Sequence, residues 1–401
     1  MSNTNQSKLS QLFSKVPQVT IFFWIIKVLC TTVGETFSDF LSVNVGLGLT
    51  LTTVLMGIAF VVVLCIQFKT SKYIPLVYWL TVVLISVFGT LVTDNLTDGF
   101  GVPLELSTVL FSVLLAAAFL AWFASEKTLS IHSIYTVKRE AFYWLTILFT
   151  FALGTAVGDL YSEQLGVGYL GTGIIVVIII ACVFAAWKLK LNEILAFWIV
   201  YILTRPLGAS LGDYLSQSTT NGGLGLGATI TSVIFLIAIL AIILFLAISK
   251  FDILAKEATE ASHEPVRTIK TVWTQTISVI VVFLVVGIGG YVWCNQNIVP
   301  AIDASQTTLS GQLNDFITIE TNILDNMNGN NLSAAKSKAD ELEHDWDKNE
   351  PKLRKIDRST WTDIDGTIDE VLAAVRTKSP DVKKCAAAIQ HSLDVLHASN
   401  Q

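Results

Sequence analysis

The sequence predicts an all-α polytopic membrane protein: about nine transmembrane helices, arranged as four parallel two-helix repeats plus one span, with a C-terminal extracytoplasmic helical bundle. Three observations predict it. Hydrophobic residues fill 52% of 401 positions and charged ones only 14%, too apolar a balance for a water-soluble domain of this length. One pattern of tryptophan, glycine and aspartate recurs four times. The chain also changes character after Pro300, where 17 Asp and Glu stand against 11 Lys and Arg, so this last segment carries the whole protein's net charge of −6.

Residues 1–20 form a polar N-terminal segment with no small-residue cleavage site behind a short apolar core, so the run from Ile21 is a retained span. Between residues 21 and 249 mostly apolar stretches follow one another, each near the roughly 20 residues that cross a hydrocarbon core at about 1.5 Å per residue. Positive charge occupies alternate connections: Lys8 and Lys15; Lys69 and Lys72; Lys127, Lys138 and Arg139; Lys188 and Lys190; Lys250, Lys256, Arg267 and Lys270. The intervening turns near Ser42, Leu96, Ser162 and Ser216 carry no Lys or Arg, so the N-terminus is expected in the cytoplasm and those turns outside. Residues 250–271 then read as a cytoplasmic linker, 272–294 as the ninth span, and 300–401 as an acidic bundle carried across the membrane. The five cysteines are isolated, odd in number and lack C-x-x-C spacing; Cys294 with Cys385 is a candidate disulfide.

Trp24, Trp79, Trp144 and Trp198 each lead an odd-numbered span. Ten residues later come Gly34, Gly89, Gly154 and Gly208, and fifteen residues later Asp39, Asp94, Asp159 and Asp213. A match of three residue types at fixed offsets in all four copies marks internal duplication. Tryptophans at this position read as interfacial anchors, and the glycines as small residues that let helices pack closely.

This W-x9-G-x4-D pattern resembles a bacterial family of membrane proteins of unknown function, made of four tandem two-helix repeats each marked by a tryptophan, over residues 17 to 249. The resemblance implies the architecture alone and brings no activity; the expected location is the plasma (bacterial inner) membrane, crossed many times. The ninth span and tail, through the region of Trp346, resemble a separate single-span bacterial family of unknown function.

Residues four apart share a helix face, so each odd span carries a stripe: Thr31, Glu35, Asp39; Ser86, Thr90, Asp94; Phe151, Thr155, Asp159; Arg205, Ala209, Asp213. An ionised carboxylate against lipid is costly, so the stripes are expected to converge, with the aspartates about 22 Å from their tryptophans at an outer vestibule. Asp98, Glu105 and Glu163 in nearby turns add to the negative field, which attracts cations. Oxygen donors favour Mg²⁺, Mn²⁺ or Ca²⁺ over softer metals, making Glu35, Asp39, Asp94, Asp159 and Asp213 candidate metal ligands and Thr31, Thr90, Thr155 and Arg205 further substrate contacts. Arg205, deep in a span, needs a partner, and Glu35 fits if the ring closes; Pro206 beside it is expected to kink the span. Lys27 is expected to snorkel to the cytoplasmic surface.

A bland alternative makes the aspartates caps of the outer turns. Gly158-Asp159 and Gly212-Asp213 resemble the Gly-Asp pairs of intramembrane aspartyl proteases, but four shallow carboxylates differ from a buried dyad. In the tail, helices are expected near 304–326, 332–349, 352–377 and 380–398, and Glu343, His344, Asp345, Asp347 and Glu350 read as a solvated acidic face. No enzyme motif, cofactor loop or nucleic-acid signature is present. The expected function is a cation transporter or channel, a divalent metal favoured and a small organic cation as a further choice. The alternative from another class is a membrane-anchored sensor or scaffold whose tail binds an envelope protein.

Overall fold

A computed structural model describes residues 14–217, 219, 222–254, 269–300, 306–377 and 379–401, so Lys8, Lys256, Arg267 and most of the linker expected over 250–271 lie outside the described residues. Among the described residues, nine helices are long and apolar enough to cross a membrane. In chain order they are α1 (Ile21–Asp39), α2 (Leu49–Lys69), α3 (Pro75–Asp94), α4 (Leu104–Glu126), α5 (Val137–Asp159), α6 (Tyr169–Lys188), α7 (Glu193–Ser216), α8 (Ala228–Ser249) and α9 (Ile269–Asn297). The aspartates of the first three repeats stand at a change of helix type. Directly after Asp39, Asp94 and Asp159 the chain winds into π-helical turns, Phe40–Asn44, Asn95–Gly99 and Leu160–Gln164. Glycines in the left-handed region, such as Gly48 at φ 72° and Gly168 at φ 77°, then turn it into the returning span.

The odd-numbered helices α1, α3, α5 and α7 form a closed inner ring in that order, α7 packing back on α1. Each even-numbered helix braces the next repeat: α2 packs on α3, α4 on α5, α6 on α7, and α8 on α1. This division follows from the side chains. The even helices are apolar on all faces and leave Leu51, Ile58, Val113, Ile178 and Ile237 exposed, the surface that lipid covers. The polar stripes of the odd helices are hidden inside.

Two cyclic rules close the ring. The residue before the leading tryptophan of each repeat is aromatic and packs on the leading tryptophan of the next: Phe23 on Trp79 (5.6 Å between ring centroids), Tyr78 on Trp144 (5.5 Å), Tyr143 on Trp198 (6.3 Å) and Phe197 on Trp24 (5.5 Å). Trp79, Trp144 and Trp198 are buried, which corrects the expectation of interfacial anchors: this register faces a neighbouring helix, not lipid headgroups. The result is an aromatic belt across the lysine-rich end of the ring, tied further by the Tyr78 and Tyr143 hydroxyls at 2.5 Å. The second rule concerns glycine. A Cβ on Gly34 would lie 2.0 Å from Ser86 Oγ, on Gly89 2.7 Å from Phe151 Cβ, on Gly154 2.5 Å from Arg205 Cβ, and on Gly208 1.9 Å from Thr31 Oγ1. Every glycine of the repeat thus meets the residue seven after the tryptophan in the next repeat, and only hydrogen fits there.

The tail forms α10 (Asn314–Asn328), α11 (Leu332–Ile356), α12 (Arg358–Arg376) and α13 (Val382–Ser399). They close on their own core, in which Trp346 and Trp361 stack at 5.8 Å. The expected break at Pro351 is absent, because α11 runs through it; the chain breaks at Asp357, whose carboxylate accepts the Thr360 N–H at 3.1 Å and caps α12. The first tail helix starts at Asn314 instead of 304. All five cysteines are free, so Cys294 and Cys385 do not pair.

Glu320 is fully buried (0% exposed) in this core, with Oε1 accepting the Ser392 hydroxyl at 2.7 Å and Oε2 without a partner. Burial pushes its carboxyl from 4.5 up to about 7. The folded state therefore holds a proton that the unfolded state releases near pH 4.5, so the bundle is most stable below that pH and loses at most about 3 kcal/mol as pH rises to 7. Urea unfolding of a fragment spanning 306–401, between pH 4.5 and 8, checks this, since freeing the fragment from the membrane domain re-exposes the carboxylates on its docking face. Glu320→Gln should flatten the dependence, and an equal slope in that variant would assign the effect elsewhere.

Candidate functional site

The bundle sits on the end of the ring that carries the π-helical turns. Arg358 of α12 bonds Glu105 at 3.2 Å and Gln164 at 2.9 Å, Gln164 bonds Glu105 in turn, and Tyr291 of α9 reaches the same Glu105 carboxylate at 3.2 Å. Thr362 lies against Gly101 and Pro351 against Gly166. The bundle therefore roofs the end of the ring that carries the aspartates.

Along the axis of the ring the stripes form layers. Nearest the aromatic belt is Lys27, 1% exposed, with its ammonium 3.7 Å over the Phe151 ring and 4.2 Å over the Tyr201 ring. It does not snorkel as expected, because its position three after Trp24 faces the axis; Tyr201 holds the equivalent place in the fourth repeat. Cation–π contact with two rings compensates part of the lost hydration.

One turn further lies Arg205, 1% exposed, whose guanidinium joins all four repeats. Its Nη1 donates to the Thr31 carbonyl at 2.8 Å, and Nε and Nη2 donate to Thr155 Oγ1 at 3.0 and 2.8 Å. Nη2 also donates to Glu35 and Thr90. The planar fork of arginine suits this role, since it presents five donors in fixed directions. Its partners Glu35, Thr90 and Thr155 are thereby committed to the guanidinium, while Thr31 Oγ1 donates to the Thr204 carbonyl at 3.0 Å. α7 continues as a helix through Pro206, the site of the expected kink.

The outermost layer is the aspartates. Electrostatic contact links Asp39 to Asp94, Asp94 to Asp159, Asp159 to Asp213 and Asp213 back to Asp39, with Glu35 beneath all four. None of Asp39, Asp94 or Asp159 makes a side-chain capping bond to the turn that follows it, so the capping alternative fails. Among the described residues the four carboxylates have no hydrogen-bond donor and no ion-pair partner. They stand in a ring without touching: among the described residues no three His, Cys, Asp or Glu side chains are close enough to hold a metal ion.

Between this ring and the bundle lies a chamber of about 700 Å³. Asp98, Glu163 and Tyr169 line it from the repeats, and Asp347, Asp365 and Asp369 from the bundle. Burial raises all three bundle carboxyls, assisted by Glu343 and Glu350 around Asp347, by Asp369 and Asp98 around Asp365, and by Asp98 and Glu343 around Asp369, which reaches about 7. The chamber's negative charge thus grows as pH rises through neutrality. What the sequence missed here is the bundle's half of the wall. The acidic tail face was visible, but nothing local marks it as facing the aspartates.

No curated protein and no solved structure matches the chain. A family profile described as Repeat of Unknown Function (DUF347) matches residues 22–73, 77–128, 142–190 and 196–251, one segment per repeat and together just over half of the chain. The matched segments coincide with the four units whose first helices build the ring, and the chain belongs to that family.

Proposed function

We propose that this protein is a transporter, and not an enzyme, that moves a cation along the axis of its four-repeat ring, entering through the chamber and the aspartates. One observation carries the reading: four equivalent carboxylates in a closed ring, none of them engaged, among the described residues, by a hydrogen-bond donor or an ion-pair partner. Charges held unpaired next to a low-dielectric wall raise the local concentration of mobile cations. Below the ring the Arg205 node and the aromatic belt form the barrier, so the path is open to the chamber and closed at the lysine-rich end. Alternating positive charge supports a reading with that closed end in the cytoplasm and the bundle outside, and the repeat's family resemblance supports a bacterial inner membrane as its setting.

Proteoliposomes assayed by solid-supported-membrane electrophysiology test this. Concentration jumps of K⁺, Mg²⁺, Mn²⁺ or an organic amine should give transient currents for at least one of them, reduced at least tenfold, about 1.4 kcal/mol in barrier terms, by Asp213→Asn. Currents unchanged in Asp39→Asn, Asp94→Asn, Asp159→Asn and Asp213→Asn alike would remove the ring from the mechanism, and silence toward every cation would remove transport itself.

A further inference from the structure

The volume of the chamber, about 700 Å³, falls within the roughly 300–1,000 Å³ of small-molecule sites and far exceeds what a bare ion fills. Its walls combine carboxylates with the indoles of Trp346 and Trp361. One buried polar donor of its wall is incomplete. Trp361, 3% exposed, keeps its indole N–H without an acceptor. A donor shielded from water with no acceptor is a position that a bound molecule completes.

The chain itself supplies the second line of argument, because it places an organic cation on each side of the aspartate ring. In the chamber, the Arg354 guanidinium lies 4.4 Å over the Trp361 ring and bonds Glu350, with Nε and Nη2 unpartnered. Across the ring, the Lys27 ammonium rests on Phe151 and Tyr201. Both are cations bound by aromatic faces, the recognition mode of ammonium and guanidinium groups. The ring carboxylates, by contrast, stay too far apart to chelate.

We propose that the cargo is a small organic cation carrying an amine or guanidine beside a hydrogen-bond acceptor, and that it binds in the chamber by displacing Arg354 from Trp361 and Glu350. Its cationic head takes the Trp361 face, its acceptor meets the indole N–H, and the aspartate ring receives the charge next. Arg354 is then a tethered competitor that holds the empty chamber together. The proposal rests on the transport reading for the cargo's onward path, but binding in the chamber stands without it.

Isothermal titration calorimetry on the full chain in detergent tests it with L-argininamide as probe and Mn²⁺ as comparison. L-Argininamide should bind saturably at one site, and Mn²⁺ should not. Trp361→Phe, which keeps the stacked ring but removes the N–H, should weaken binding about threefold, and Arg354→Gln should tighten it by removing the competitor. Absence of saturable heat with L-argininamide, saturable binding of Mn²⁺ alone, or unaltered affinity in Arg354→Gln would each overturn the assignment. Because no gradient is present, binding without currents would overturn transport and leave the ligand class standing.

Discussion

Arg205→Met is expected to destabilise the membrane domain by about 3–5 kcal/mol, the largest loss from any single side-chain truncation along the axis. The reason is what remains behind. Glu35 would be left as a buried carboxylate with no cation, and the Thr31 carbonyl would lose its guanidinium donor. Removing one member of a desolvated pair costs more than removing both, so Glu35→Gln combined with Arg205→Met should recover most of the loss. Arg205→Lys should not substitute, because one ammonium cannot reach Thr31, Thr155, Glu35 and Thr90 together. Reversible unfolding in mixed micelles, read by tryptophan fluorescence, gives the four values of the cycle. Additive single effects would mean that the pair contributes no coupling and that Arg205 acts by packing alone.

The membrane architecture, the number of repeats and the register of the aspartates were legible because they depend on properties a linear chain displays: runs of apolar residues, charge alternation and a four-residue face. The pairing of Arg205 with Glu35 was legible for a related reason, since a single buried cation has few anionic choices. Lys27, the tryptophans and the threonines were read less well. Each of them requires knowing which helix lies opposite, and sequence spacing fixes only the face from which a side chain leaves. Thr90 and Thr155 look like ion ligands on an isolated stripe; they become arginine ligands only once α3 and α5 are set beside α7. Trp79 resembles an interfacial anchor until Phe23 of the preceding repeat packs on it. One signal was present and unread: the residue before the leading tryptophan of each repeat, Phe23, Tyr78, Tyr143 or Phe197, is aromatic, which extends the repeat by one position. The seating of the bundle over the ring had no local signature, because Arg358 and Glu105 are 253 residues apart and each is ordinary in its own surroundings.

Gly208→Ala is the second substitution with a large expected effect, and Gly158→Ala is its control. The added methyl at 208 would sit 1.9 Å from Thr31 Oγ1, 2.5 Å from Thr31 Cβ and 2.9 Å from the Thr32 backbone nitrogen, so rotating one side chain cannot make room. α1 and α7 must separate. Overpacking of this kind costs about 1–3 kcal/mol, and separation at this seam also pulls the Thr31 carbonyl and Glu35 away from Arg205, which places the loss at or above the upper end. At Gly158 the nearest atoms lie 3.8 to 4.0 Å away, ordinary contact, so alanine there should be neutral or stabilise by up to about 1 kcal/mol through its helix propensity. Gly154→Ala falls between them in kind: its methyl would meet Arg205 Cβ and Cγ at 2.5 Å and push the guanidinium off its partners without touching backbone. The thermal midpoints of the three variants in detergent should therefore rank 208 lowest, 154 next and 158 at or above the parent. Equal midpoints for 154 and 158 would mean that the repeat glycines do not set the distance between neighbouring odd helices, and the ring would need another account of how its four copies close.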